Sequence, residues 1–251
     1  MESVCTQFPT ESWFKLKTDT ACKGSQEKAM ADISGFNVVL RGKSDTQRVT
    51  ALHAIYSALD EPGVDTEKLA ANLRAHGVLN SIASLVASHQ PDVHQSALLL
   101  IATLTTDDID AQGAELTIKV LKEDGAFDAI FAHLFSNVVL TLTFASAIFA
   151  NCCARDEVLA AKLLLHGGAD RLAALADCDQ PEIAHSAAAA LRNLHGHSAL
   201  APLVRVLHAA IALQRSVRRA QSNRRARTRF IQAGSLRAES RIRALPSLLW
   251  T

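Results

Sequence analysis

The closest pair of histidines in the sequence is His195 and His197, in HGH. Zinc takes three or four protein ligands around a tetrahedron. Residues two apart on a helix do not face each other, and no cysteine or carboxylate stands nearby to complete a set, so no metal is expected. Cys152 and Cys153 are the next candidates for chemistry. With Cys5, Cys22 and Cys178 they make an odd number without a C-x-x-C spacing. They are expected to be small core fillers in a reducing compartment rather than redox or metal groups. Asp107, Asp108 and Asp110 bring carboxylates together in TTDDIDAQGAE, but that acidic, glycine-containing stretch reads as a solvated surface loop rather than as paired acid and base. No G-x-S-x-G, H-E-x-x-H or phosphate-cradling glycine loop occurs. No catalytic residue, cofactor or metal is therefore expected, and the chain is read as a non-enzyme.

What remains are amides near the ends of helical segments, and their positions follow an internal repeat. Residues 69–104 align with residues 159–194 without a gap at an offset of 90, with thirteen of thirty-six positions identical. His76/His166, Gly77/Gly167, Gln90/Gln180, Pro91/Pro181 and Ser96/Ser186 are matches that an Ala- and Leu-rich composition does not explain. A third unit lies between them, in which Gly125 answers the two glycines. The steps between glycines are 48 and 42, and the polar positions Thr103, Asn151 and Asn193 step by the same amounts. The longer step holds the acidic loop. An earlier unit places Gly35 another 42 residues back, with its last helix fitting two registers one residue apart.

Each unit reads as three helices: a short one stopped by a glycine suited to a left-handed turn, a second such as VLNSIASLVA, and a third beginning after Gln-Pro, where proline suits a first helical position. Val93, Ala97, Leu100, Ile101 and Leu104 step by 4, 3, 1 and 3, and Ile183, Ala187, Ala190, Leu191 and Leu194 repeat that stepping. One face of each third helix is therefore buried, and only stacked neighbours can close it. His76 and His166, beside the turn glycines, are expected to close the carbonyls of the first helices.

Composition agrees. The chain of 251 residues is 49% hydrophobic and 20% charged, with eleven glycines and six prolines, which favours helices over strands. No apolar run reaches the ~20 residues of a membrane span, and the first residues lack a basic region followed by an apolar one, which argues against secretion. The net charge of +1 conceals an asymmetry. Residues 201–251 carry eleven arginines against one glutamate, or +10, while residues 1–200 carry fifteen basic and twenty-four acidic groups, or −9.

A unit of about 42 residues with a glycine between its first two helices and a third helix ending in ALRNL, Ala190 to Leu194, resembles the armadillo repeat. The resemblance covers residues 31 to about 195. It implies an all-α, right-handed α-solenoid of about four three-helix repeats, with the two-helix HEAT repeat as the alternative. In armadillo proteins such as importin-alpha and beta-catenin, third helices line a concave groove where an Asn bonds the backbone of an extended peptide and a Trp one turn earlier walls side-chain pockets. An amide suits that role because it donates and accepts at once. The resemblance implies a floor of Ser96, Leu99 and Thr103, then Phe144, Ala147 and Asn151, then Ser186, Ala189, Arg192 and Asn193. Each Asn has a second reading as a helix cap or a bridge between repeats, and Phe144 is either an anchor for a partner or a core residue. Leu99, Ala147 and Ala189 stand where the importin-type Trp would, which argues against reception of nuclear-import signals.

The arrangement divides as an N-terminal segment (1–30), in which Trp13 and Phe14 either cap the first repeat or are disordered, a repeat domain (31–214) ending in an incomplete fifth unit, and a basic tail (215–251). Arg215, Arg218, Arg219, Arg224, Arg225, Arg227 and Arg229 make that tail a solvated run, a ligand for an acidic protein surface including the chain's own body, a binder of nucleic acid or an anionic membrane surface, or a nuclear targeting signal. LQRSVRRAQSNRR partly resembles the IQ motif of calmodulin-like partners: Leu213, Gln214 and Arg218 fit, Arg219 replaces a glycine, and Arg224 comes one place late. The sequence as a whole reads as a cytoplasmic or nuclear scaffold that binds a protein or peptide along its groove, with binding of nucleic acid or membrane through the tail as the alternative.

Overall fold

The computed structural model describes residues 33–197, Leu200, and positions 202, 206, 209, 213, 216, 217, 219–225, 228 and 229. The chain divides into two compact units after Ala201. In the first, α1 (Ile33–Arg41) and α2 (Asp45–Leu59) are the second and third helices of the first repeat. The second repeat is α3 (Thr66–Ala75), α4 (Val78–Leu85) and α5 (Pro91–Leu104). A short α6 (Asp107–Asp110) precedes the third repeat, α7 (Ala114–Glu123), α8 (Ala126–His133) and α9 (Val139–Cys153). The fourth is α10 (Glu157–Leu165), α11 (Gly168–Ala176) and α12 (Pro181–Gly196). No strand occurs among the described residues, and the fold is an all-α solenoid of armadillo-like repeats.

Each helix boundary has a local cause. Gly77, Gly125 and Gly167 all adopt the left-handed conformation, with φ of 68, 69 and 76°. A side chain there costs about 1–2 kcal/mol of backbone strain, which is why glycine recurs at the turn between first and second helices. Just before two of them, the rings of His76 and His166 bond through Nδ1 to the carbonyls of Asn72 and Lys162 at 2.9 and 2.7 Å, closing the ends of α3 and α10. Pro91 and Pro181 open α5 and α12, where their missing N–H costs nothing. The first helices α3 and α10 start on Asp65 and Asp156, and Asp110 makes the same local bond at the end of α6. Asp65, Asp110 and Asp156 each accept the backbone N–H three residues on, at Lys68, Gly113 and Leu159 (3.0, 2.7 and 2.8 Å).

Gly35 departs from the expected register. It lies inside α1 rather than at a left-handed turn. The first repeat is offset from the second by 45 residues, as the ends of α2 and α5 at Leu59 and Leu104 show. That offset of 45 also joins Asp65 to Asp110.

The third helices α2, α5, α9 and α12 pack in that order into one continuous layer, and the shorter helices cover its other side. Val93, Ala97, Leu100, Ile101 and Leu104 are all buried, as are Ile183, Ala187, Ala190 and Leu194, with Leu191 half-buried at the outer helix. α9 lies between α5 and α12, and twelve of its fifteen residues are buried. This explains a segment that is apolar all round rather than along one stripe. Leu79, Ile82, Leu98, Leu100, Ile130 and Phe149 anchor the core, each fully buried and each worth roughly 1.5–3 kcal/mol of transfer free energy.

The acidic insertion is not the solvated loop its composition suggests. It folds into α6, with Asp110 buried and ion-paired to Arg74 of α3 at 2.6 Å. The contact is an ion pair rather than an aligned hydrogen bond; Arg74 Nη1 donates to Thr117 Oγ1, and Asp110 accepts from the Gly113 amide with its other oxygen. Asp107 pairs with Arg155. Two carboxylates of this charge run have become a staple across a repeat boundary, because Asp107 and Asp110 each have a cation from a neighbouring unit within reach, while Asp108 is exposed.

Candidate partner-binding surface

The third-helix layer is laced along its length by side chains that bond between repeats. Ser96 Oγ donates to the Asp92 carbonyl at 2.7 Å and lies 3.2 Å from the His53 ring of the preceding third helix. Gln95 donates to Thr141 at 3.2 Å. Asn151 Nδ2 donates to the Ala102 carbonyl at 3.2 Å and approaches Thr105 Oγ1 at 3.4 Å. Asn193 Nδ2 donates to the Ala150 carbonyl at 2.7 Å. Both asparagines therefore tie a third helix to the one before it.

The ten residues expected on a groove floor separate by accessibility. Ser96, Leu99, Ala147, Asn151, Ser186 and Ala189 are buried. Thr103, Phe144 and Asn193 are half-buried and Arg192 is exposed. The alanines standing at the positions of an aromatic wall are fully buried, and Phe144 is the one aromatic residue among the ten. Thr103 Oγ1 donates back to the Leu99 carbonyl at 3.0 Å.

The titratable groups near this layer are held in unreactive states. Burial pushes the Cys152 and Cys153 thiols far up, and a protonated, enclosed thiol is no nucleophile. Burial lowers the affinity of His94 for a proton, and the His133 ring, stacked on it at 4.6 Å, adds to that, while the Ser88 carbonyl opposes it. Asp156 is pushed up by burial, yet the Lys122 ammonium and the Leu159 and Val158 amides hold its carboxyl below the ordinary range. His197, the extended residue that follows α12, bonds through Nε2 to the Cys153 carbonyl at the end of α9.

In the second unit, the described positions between 202 and 229 are helical and exposed. They include Arg219, Arg224, Arg225 and Arg229, as well as Leu213. Arg215, Arg218, Arg227 and Gln214 lie outside the described residues, as do Trp13, Phe14, Cys5, Cys22 and most of the fifth unit.

A second surface was not anticipated from sequence. Between α8 and α10, Phe127, Phe131, Phe149, Leu159 and Leu163 line a shallow hollow open to solvent, rimmed by Asp128, Lys162 and His166. Lys162 pairs with Asp128 at 2.5 Å across its mouth. Phe131 meets Phe135 and His166 edge-on, and the Arg171 guanidinium sits 5.6 Å from the exposed Phe135 ring. The signal was present: Phe127, Phe131 and Phe135 recur every four residues, more aromatic surface than so short a helix buries.

No protein-family model and no curated protein matches the sequence. Solved structures do. A designed armadillo repeat protein in complex with the peptide (KR)4 is similar with a TM-score of 0.62 and 19% identity, over 76% of this chain and 77% of that one. Computationally designed armadillo repeat proteins for modular peptide recognition match with a TM-score of 0.62 and 20% identity, over 76% and 78%. A third designed armadillo repeat protein has a TM-score of 0.54 at 21% identity over 64% of this chain, which spans 63% of that one. The chain has an armadillo-like repeat fold.

Proposed function

We propose that this protein is a non-enzymatic scaffold that binds an extended peptide or a partner segment along the layer formed by α2, α5, α9 and α12. The observation that carries the reading is that layer itself: four third helices in register, the arrangement shared with designed proteins of which one was solved with a basic peptide. The body's charge of −9 supports a basic occupant, since complementary potential favours encounter and selects against wrong partners. Phe144 supplies the apolar contact, Thr103 and Asn193 the accessible polar ones, and Arg192 a local repulsion that discriminates among basic peptides.

The test is a titration of the full chain with labelled (KR)4 and with an acidic octapeptide. Binding of (KR)4 alone is expected, weakened several-fold by Phe144→Ala and strengthened several-fold by Arg192→Glu. If neither peptide binds, or if both variants leave the affinity unchanged, the concave layer is not the binding surface. A second reading, polyanion binding by the tail, is favoured by the four exposed arginines at 219, 224, 225 and 229. It requires a steep fall of RNA binding with salt and its loss on deletion of residues 215–251.

A further inference from the structure

Three exposed hydroxyls stand six residues apart in the basic segment, at Ser216, Ser222 and Thr228. The sequence around them repeats as SVRRAQ, SNRRAR and T. Two of the three have an arginine three residues earlier: Arg219 before Ser222, and Arg225 before Thr228. Ser216 has Leu213 in that place. Residues 219–225 are consecutive helical positions, and all seven are exposed. Seven residues are about two full turns, so no face of the helix is buried there and opening it locally costs little. The Thr228 hydroxyl donates to the Arg224 carbonyl at 3.0 Å, a local bond that such opening releases.

We propose that Ser222 and Thr228 are phosphoacceptors for a protein kinase whose substrate cleft reads the arginine three residues before the hydroxyl, and that their phosphorylation discharges the basic segment. Carboxylates in such a cleft grip a guanidinium through charge-assisted, bidentate bonds and so place the hydroxyl. The Oγ of the residue then attacks the γ-phosphorus of ATP. The new O–P bond forms as the bond to the bridging oxygen breaks, ADP leaves, and the hydroxyl proton passes to a carboxylate of the kinase. Each phosphate brings about −1.5 to −2 charges, so two take the tail from +10 to roughly +6 or +7. Arg219 and Arg225 lie one turn either side of Ser222, and a phosphate there draws both inward and away from external anions.

The experiment incubates the full chain with ATP and an arginine-directed serine/threonine kinase, and follows intact mass with site mapping. Within residues 213–231 two phosphates are expected, on Ser222 and Thr228, and Ser44 and Ser240, which also follow an arginine by three residues, are mapped separately. Arg219→Ala removes incorporation at Ser222 by tenfold or more and spares Thr228, Arg225→Ala does the reverse, and Ser216 stays unmodified as the internal control. The doubly phosphorylated chain elutes from immobilised heparin at lower salt. Modification of Ser216 as fast as Ser222, or incorporation indifferent to the two arginine substitutions, overturns the assignment of sites. So does a chain that takes no phosphate while the free peptide 213–231 takes two, because that places the hydroxyls out of reach. Unchanged elution from heparin overturns the discharge.

Discussion

The junction between the second and third repeats and the junction between the third and fourth are built at the same positions from different chemistry. At the first-helix rung, Arg74 meets Asp110 where the two side chains are 13% and 4% exposed; one repeat on, Lys122 meets Asp156 at 2.6 Å with 38% and 16% exposed. At the next rung Asn80 donates to Asp124 at 2.9 Å, and Lys162 pairs with Asp128 at 2.5 Å. Second helices are tied by His133 to the Val86 carbonyl at 2.8 Å, then by Arg171 to the Leu134 carbonyl at 2.7 Å. Third helices are tied by Asn151, then by Asn193. At the first-helix rung the inner junction thus relies on a buried pair, and the outer one on a long cation that reaches across a more open gap. What the repeat conserves is the place of each rung, and burial decides its energy. In a solenoid each repeat answers only to its neighbours, so the first-helix rung of the outer junction is expected to open before that of the inner one.

Removing one carboxylate from each junction exposes that difference most strongly. Asp110→Ala leaves the Arg74 guanidinium buried without a counter-charge and strips the Gly113 amide of its acceptor. A loss of about 3–5 kcal/mol is expected. Asp156→Ala removes a cap worth about 1 kcal/mol and a pair that solvent already weakens, for about 1–2 kcal/mol in total. Urea unfolding of both variants measures the contrast, and equal losses would erase it. The amides come next. Asn151→Ala removes a buried bond to the Ala102 carbonyl, which keeps Thr105 Oγ1 as a donor, and is expected to cost about 1.5 kcal/mol, whereas Asn193→Ala, at a half-buried site that water reaches, costs about 0.5 kcal/mol. Hydrogen exchange on the two variants locates the effect: opening confined to α12 for Asn193, and spread over α5 and α9 for Asn151.

The sequence carried the repeat because backbone demands at its turns admit few residues. Glycine at 77, 125 and 167, proline at 91 and 181, and histidine at 76 and 166 each answer a local need, and local needs show in a single chain. The rungs were less legible. Arg74 and Asp110 are 36 residues apart, and nothing in either neighbourhood says that a bend of α6 brings them together, so the aspartates read as solvated. The Asp65, Asp110 and Asp156 series was hidden for another reason: counted from the glycines its steps of 45 and 46 look out of phase with steps of 48 and 42. The insertion lengthens only part of one unit. On the groove, position was legible and accessibility was not. Leu99, Ala147 and Ala189 occupy the wall sites, but whether a side chain there meets solvent depends on how near the next helix comes, and alanines permit the close approach that buries them.

The smallest effect sharpens the comparison further, because it belongs to the inner junction alone. His94 stacks on His133 and its Nε2 lies 3.4 Å from Thr141 Oγ1, while its Nδ1 faces the Ser88 carbonyl at 3.0 Å. Its folded-state proton affinity is lowered, chiefly by burial. Below the ordinary histidine value of 6.5 the unfolded chain therefore binds more protons than the folded one, and unfolding gains free energy as the medium acidifies. The stability that neutral His94 provides is complete above pH 6.5 and is lost as pH falls through that value toward the lowered folded one. Asp156, with its carboxyl held low, titrates in a separate, more acid range. Between pH 7.5 and 5.5 the urea midpoint of the protein is expected to fall, with exchange protection declining first in α5 and α9. His94→Gln keeps a polar group beside Thr141 and removes the titration of that ring, so its midpoint should fall less over that interval. A slope unchanged by the substitution would move the acid sensitivity away from His94 and leave the two junctions distinguished by ion-pair burial alone.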